Sequence, residues 1–236
     1  MKLFTVAILA GGLATRLRPI TERVPKALVE IAGRPFIHHQ LRLLAGQGVT
    51  RVVLCVGYLG EMVRAVVGDG SSFGLLVEYS YDGEVLLGTG GALRRALPLL
   101  GDRFFVLYGD TYLPSPLAPV QEAYIASGAG ALMAVLRNSN RWDKSNALYL
   151  DGRVIEYNKH APKAEMHYID YGLGVLRADV LNTWPSDQPF DLADVYQSLA
   201  QGGRLAGFEV EQRFYEIGSP AGIRETEQFL SARGGA

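Results

Sequence analysis

Thr5-Val6-Ala7-Ile8-Leu9-Ala10-Gly11-Gly12 is the stretch that decides the fold. A short apolar run stopped by paired glycines is the pattern of a strand buried on both faces, as in a parallel sheet. Downstream, Pro35 suits the first turn of a helix. Ile37, Leu41, Leu44 and Ala45 then fall at i, i+4, i+7 and i+8, one apolar face, and Gly48 comes next as a cap. Residues 51–56 read as a second strand, 61–67 as a helix, 75–79 as a strand and 89–97 as a helix. Residues 104–108 form another apolar strand, which stops at Gly109-Asp110.

The second half is less regular. Residues 131–136, 146–150, 154–157 and 171–176 read as strands, with Asp151-Gly152 suited to a hairpin turn. Asp191 is placed to cap a helix carrying Leu192, Val195, Tyr196 and Leu199 on one face. Ser219-Pro220 starts another, a hydroxyl cap followed by proline. With no linker, low-complexity tract or repeat, the pattern predicts one α/β domain over residues 1–236, mainly parallel with antiparallel additions late. Ligands in such folds bind beyond the carboxyl ends of the strands, which directs attention to the residues just past Leu9 and Tyr108.

Composition excludes several classes. The chain is 48% hydrophobic and 20% charged, the balance of a soluble globular protein. Its net charge of −1 argues against a general nucleic-acid partner while leaving room for a local phosphate pocket. Cys55 is the only cysteine and lies in an apolar run, as a core thiol does. No apolar run reaches the ~18 to 20 residues of a membrane span. Lys2 and the apolar stretch after it resemble a signal peptide, but Arg16 and Arg18 come at once after that stretch, so the expected location is the cytoplasm.

Five motifs can carry chemistry. Residues 9–19, Leu-Ala-Gly-Gly-Leu-Ala-Thr-Arg-Leu-Arg-Pro, precede Pro25-Lys26. The glycines let backbone N–H groups approach phosphate oxygens, and Arg16, Arg18 and Lys26 add positive charge. The loop has neither the Gly-Lys-Ser/Thr ending of a Walker A loop nor the glycine spacing of a dinucleotide fingerprint. Gly88-Thr89-Gly90-Gly91 enters a helix, whose free N–H groups would favour an anion or a polar ligand edge. Asp110 stands just past an apolar strand, and magnesium takes one or two such carboxylates plus phosphate oxygens. Glu216 is a second carboxylate, before the helix that Ser219 caps, and Lys159 comes after the strand 154–157. Each alone is commonplace: a glycine turn, a turn aspartate, a strand-end glutamate, a surface lysine. The four histidines show no zinc spacing.

Together and in this order, over residues 4 to about 230, the motifs resemble the sugar-1-phosphate nucleotidyltransferases. That family carries a GGxGTRLxP loop, PKxL, a TGGA-type turn, a Gly-Asp strand end, an E-K-P lysine and a late W-x-D-x-G carboxylate. Here Ala14 replaces a loop glycine, Asn158 stands where glutamate is usual, and Glu216 replaces the metal-binding aspartate. The nearest flavour is the short, single-domain type. The resemblance implies a Rossmann-like three-layer sandwich with a mixed, mainly parallel central sheet. Its substrates would be an NTP and a sugar 1-phosphate, its cofactor Mg²⁺, its partners neither nucleic acid nor membrane; homo-oligomerisation is left open.

The resemblance also implies residue roles. Arg16, Lys26 and Asp110 would be catalytic. Leu9, Ala10, Gly11, Gly12, Thr15, Arg16, Gly88, Thr89 and Gly90 would bind the nucleotide. Gly109, Asn158, Lys159, Asp170 and Gly172 would bind the sugar phosphate, and Asp110 and Glu216 the metal. A sugar-phosphate oxygen would attack the α-phosphorus in line, expelling pyrophosphate. The phosphate is already ionised, so no general base is required. The base would be guanine or uracil. A glycosyltransferase on a similar fold would carry Asp-x-Asp, which Asp110-Thr111-Tyr112 lacks. A regulatory paralogue that binds nucleotide sugars without turnover is the alternative.

Overall fold

The computed structural model describes residues 1–13, 17, 19–186 and 188–233. In chain order the elements are β1 (Thr5–Leu9), β2 (Glu30–Ile31), β3 (Arg34–Pro35), α1 (Phe36–Gly46), β4 (Arg51–Val56), α2 (Gly60–Val67), β5 (Leu76–Tyr81), α3 (Gly88–Leu100), β6 (Arg103–Tyr108) and β7 (Thr111–Tyr112). They continue with α4 (Leu117–Ser127), β8 (Ala131–Arg137), β9 (Ala147–Leu150), β10 (Arg153–Tyr157), β11 (Tyr168–Arg177), α5 (Leu192–Gln201), β12 (Leu205–Val210), β13 (Tyr215–Glu216) and α6 (Pro220–Ala232).

The main sheet runs β5-β4-β1-β6-β11-β8-β12-β10-β9. The neighbours from β5 to β6 are parallel, as are β8 and β12. β11 enters antiparallel between β6 and β8, and the β9–β10 hairpin adds antiparallel pairs at the end. The expected mixed α/β sheet is what the chain forms, with the parallel half first.

Strand alternation sends β1 side chains to two cores. Val6 and Ile8 pack with Ile37, Leu41 and Leu44 of α1, Val63 of α2 and Val120 of α4. Ala7 faces the other way, toward Leu93 and Ala96 of α3 and Val195 and Tyr196 of α5. These are three layers, helix on sheet on helix. Cys55 is buried in the second core, and burial, with Asp82 nearby, pushes its thiol up to about 12, as befits an inert core residue.

Several boundaries differ from the local pattern. Pro35 is the residue before α1 rather than its first turn, and α3 runs through Pro98 to Leu100. The elements that pattern reading misses are α4, β12 and the two-residue strands β2, β3 and β7. α4 opens Leu-Ala-Pro and buries Gln121 among its apolar residues, and β12 is interrupted by Gly207, against which the Tyr149 ring packs. No helix among the described residues is long and apolar enough to cross a membrane.

The strands that matter for the site meet at their carboxyl ends. Gly109 N–H donates to the Leu9 carbonyl at 2.9 Å, and a Cβ on Gly109 would lie 2.8 Å from that same oxygen. Gly109→Ala should therefore push β1 and β6 apart and cost roughly 1 to 3 kcal/mol, the range for overpacking. Urea unfolding checks this: an unchanged midpoint would mean that the corner relaxes freely.

Candidate active site

Beyond the ends of β1, β4 and β6 lies a cavity of about 260 Å³. Its walls bring together Leu9, Ala10, Gly11, Gly12, Lys26, Gly88, Thr89, Gly109 and Asp110, residues from three separate motifs. Thr15 and Arg16, with Ala14 and Arg18, lie outside the described residues. A larger groove of about 790 Å³ lies elsewhere, by Gly130 and Leu205 at the starts of β8 and β12, and holds none of the expected site residues.

Asp110 and Lys26 form the charged mouth of the smaller cavity. Lys26 Nζ donates to Asp110 Oδ2 at 2.8 Å, and Thr111 Oγ1 donates to Oδ1 at 3.1 Å. The corner itself is held by Gln40, a buried glutamine on the apolar face of α1. Its Nε2 donates to the Tyr108 carbonyl at 3.0 Å and to the Thr111 carbonyl at 2.8 Å, one on each side of Gly109-Asp110.

Glu216 reaches the same corner along β13, which pairs antiparallel with β7 so that Glu216 faces Thr111. Ile217 N–H donates to the Asp110 carbonyl at 2.9 Å. The Glu216 carboxylate accepts from Gly218 N–H and, at 2.8 Å, from Ser219 Oγ. Gly218 and Gly222 make room for it, since a Cβ on either would collide with its oxygens. Tyr215 points the other way and stacks on Phe229 at 3.9 Å. No group of three or more metal-binding side chains occurs among the described residues. Magnesium needs only one or two protein carboxylates; Asp110 lies in the turn between β6 and β7, and Glu216 on β13 beside β7.

The Gly88–Gly91 turn departs from the expectation of free N–H groups. Gly90 and Gly91 N–H donate to the Phe190 carbonyl at 3.0 and 3.4 Å, and a Cβ on Gly90 would strike the Phe190 ring. Glycine is required there because residue 190 packs against the turn. Thr89 Oγ1 donates to Asp191 Oδ1 at 2.7 Å, and Lys159 Nζ donates to Asp191 Oδ2 at 2.9 Å. Burial opposes the charge of Asp191, but N–H, hydroxyl and ammonium donors outweigh it and hold its carboxyl below the ordinary range. Asn158 shapes the loop that carries Lys159, its Oδ1 accepting from His160 and Ala161 N–H at 3.0 and 2.8 Å.

Asp170 and Gly172 lie where β11 breaks register with β8. Gly172 has φ +85°, and a Cβ there would face Tyr108 and Thr111, so this bulge abuts the Asp110 corner. Gly172 N–H donates to Asp170 Oδ1 at 2.9 Å. Burial nevertheless raises the Asp170 carboxyl to about 6, against the pull of that bond, of the Lys159 charge and of the Tyr157 hydroxyl.

Known proteins resemble this chain in sequence and fold. The Nucleotidyl transferase family profile matches residues 5–144, more than half of the chain. The chain belongs to that family. Among relatives of this nucleotidyl transferase, a D-glycero-alpha-D-manno-heptose 1-phosphate guanylyltransferase of Campylobacter jejuni is 27% identical, over 90% of this chain and 94% of its own. A mannose-1-phosphate guanyltransferase of Aspergillus oryzae is 29% identical over 90% of this chain, which spans only 60% of that longer relative. The solved inositol-1-phosphate CTP transferase from T. maritima superposes with TM-score 0.80 at 21% identity, covering 100% of this chain and 98% of its own, and so shares the fold.

Sequence reasoning overlooked Asp82, Tyr108 and Gln40. Asp82 and Tyr108 line the cavity and end strands of the parallel half, so the strand-end rule would have found them. Asp82 Oδ2 accepts from Leu87 N–H at 3.2 Å, and burial raises its carboxyl above the ordinary range despite that bond and the Arg95 charge. Gln40 had a signal too, a polar residue between Ile37 and Leu44 on one helical face.

Asp170 sets a pH dependence. Its folded-state value of about 6 lies above the ordinary 3.8, so its contribution to stability is complete below 3.8 and is lost as pH rises through about 6. Asp170→Asn carries no charge to desolvate. Its melting temperature should gain on the parent's between about pH 4 and about pH 7. A difference constant across that window would show that Asp170 ionises as readily folded as unfolded.

Proposed function

We propose that this nucleotidyl transferase joins a sugar 1-phosphate to an NTP, giving a nucleotide sugar and pyrophosphate, with Mg²⁺ held by Asp110 and Glu216. The observation that carries the reading is the Lys26–Asp110 pair at the mouth of the cavity, beside the strand that bears Glu216. When bound, the ion neutralises phosphate charge at that corner. A cytoplasmic location suits these substrates.

The chain's own residues supply the rest. The backbone of residues 9–12 and the Gly88–Gly90 turn frame the base and ribose. Thr15, Arg16 and Lys26 hold the triphosphate, and as pyrophosphate leaves, Arg16 and Lys26 stabilise the charge that develops on it. Lys159 holds the sugar phosphate, oriented for in-line attack by the neighbouring Gly109 corner. Asn158, Asp170 and Gly172 shape the sugar side, where a buried carboxylate accepts hydrogen bonds from hydroxyls. Guanylyl or uridylyl transfer fits the family. Asp82 favours guanylyl, because guanine offers adjacent N–H donors to a carboxylate whereas uracil offers one N–H between two carbonyls.

Pyrophosphate release, screened over NTPs and sugar 1-phosphates with and without magnesium, tests the reading. Activity is expected with GTP, dependent on the metal. Binding of nucleotide sugars with no release from any pair would establish the regulatory alternative instead.

Asp110→Asn should lower turnover on the order of 10²-fold or more, the scale for losing a major electrostatic element. Glu216→Gln should raise the magnesium requirement while leaving metal-free nucleotide binding near normal. Wild-type rates for Glu216→Gln at limiting magnesium would reduce Glu216 to a structural role at the start of α6. Lys159→Ala should weaken mainly sugar-phosphate use and Lys26→Ala mainly the nucleotide side, each by roughly 10-fold or more, the scale of a charge-assisted hydrogen bond. Titrations with the pattern reversed would overturn that division.

A further inference from the structure

Residues 190–192, which lead into α5, are laced to the turn that opens α3. Phe190 N–H donates to the Leu87 carbonyl at 3.0 Å, while Gly90 and Gly91 N–H donate back to the Phe190 carbonyl. Thr89 Oγ1 donates to Asp191 Oδ1 at 2.7 Å and accepts from Leu192 N–H at 2.8 Å. The starts of the two helices are thus one hydrogen-bonded unit. Asp191 is fixed within it, because its Oδ1 also accepts from Ala193 N–H at 3.0 Å as the cap of α5.

Its second oxygen is turned outward. Asp191 Oδ2 takes Lys159 Nζ at 2.9 Å, and Lys159 belongs to the loop after β10. The Lys159 side chain is 47% exposed. A half-exposed lysine has four rotatable bonds and gives up much freedom when it is held in one place. An anchored carboxylate removes that freedom in advance. The ammonium has three donors, so one spent on Asp191 leaves two for phosphate oxygens.

We infer that Asp191 is a positioning residue that pre-sets Lys159 for the sugar 1-phosphate and, through Thr89, ties that setting to the turn that receives the nucleotide. This rests on the reading of Lys159 as the sugar-phosphate cation and adds the group that aims it.

Asp191→Asn isolates the contact. The amide oxygen still accepts from Ala193 and Thr89, so the cap survives, but an amide NH₂ cannot accept from an ammonium. The KM for the sugar 1-phosphate should rise about tenfold, the scale of one charge-assisted hydrogen bond, with kcat and the KM for the NTP near their original values. Asp191→Ser, which keeps a capping oxygen too short to reach Lys159, should behave alike if Asn perturbs folding. In a Lys159→Ala background the Asn substitution should change nothing further. An equal rise in that background would make Asp191 a structural cap and overturn the inference while Lys159 keeps its role. A fall in the sugar-phosphate KM would also overturn it, making Asp191 a competitor of the phosphate. Lys159→Ala with an unchanged sugar-phosphate KM would remove the reading of Lys159 and this inference with it.

Discussion

The ends of β1 and β6 touch backbone to backbone, and the site is built on that contact. The Gly109 N–H reaches the Leu9 carbonyl, with no space for a side chain between them. The approach puts Asp110 beside the loop that begins at Leu9, and everything else converges on it. Gln40 grips the carbonyls on both sides of the corner, and the short β7–β13 pairing brings Glu216 across from Thr111. A buried amide spanning two carbonyls is a stiff brace, since either bond lost would leave a polar group without water. Asp110 thus stands in a turn braced from both sides and Glu216 on a short strand, which helps to hold charge in one geometry.

Two cations of the site are neutralised within the chain itself, Lys26 by Asp110 and Lys159 by Asp191. Without these partners each lysine would carry bare positive charge at a partly buried position. The pairs are partly exposed, so solvent screens them and each contributes little to stability. On the proposed function their value is positional: anchored carboxylates would hold flexible lysines near where phosphates arrive, and the same weakness would let a phosphate take over part of each contact.

The glycine-rich segments show how a correct motif can have an unread cause. At Gly11 the missing side chain has a packing reason, because a Cβ there would press on the backbone of Gly57 and on Asp82. The local pattern offers the N–H groups of Gly90 and Gly91 to a ligand, yet those groups serve the Phe190 carbonyl, and the missing side chain at Gly90 makes way for the Phe190 ring. Nothing local announces a partner so far along the chain. The same holds for Asp191, which reads as a helix cap and is one, while its second oxygen is committed to a lysine in another element.

The amino-acid sequence by itself determined most of the longer elements and their order. Unbroken apolar runs, helical stripes, caps and glycine stops act over a few residues, and those forces are visible wherever the chain is read. It also narrowed the candidates for meeting phosphates, since glycines, lysine and aspartate that are commonplace singly come together here after the strand ends. The tertiary structure alone decided the partners: Lys26 with Asp110, Lys159 with Asp191, Gln40 with the 108–111 corner, Asp82 in the cavity wall, and Glu216 folded onto Gly218 and Ser219. Hydrogen bonds and ion pairs act over about 3 Å in space, and the distance between two residues in space is set by how the layers pack, which no local pattern of residues records.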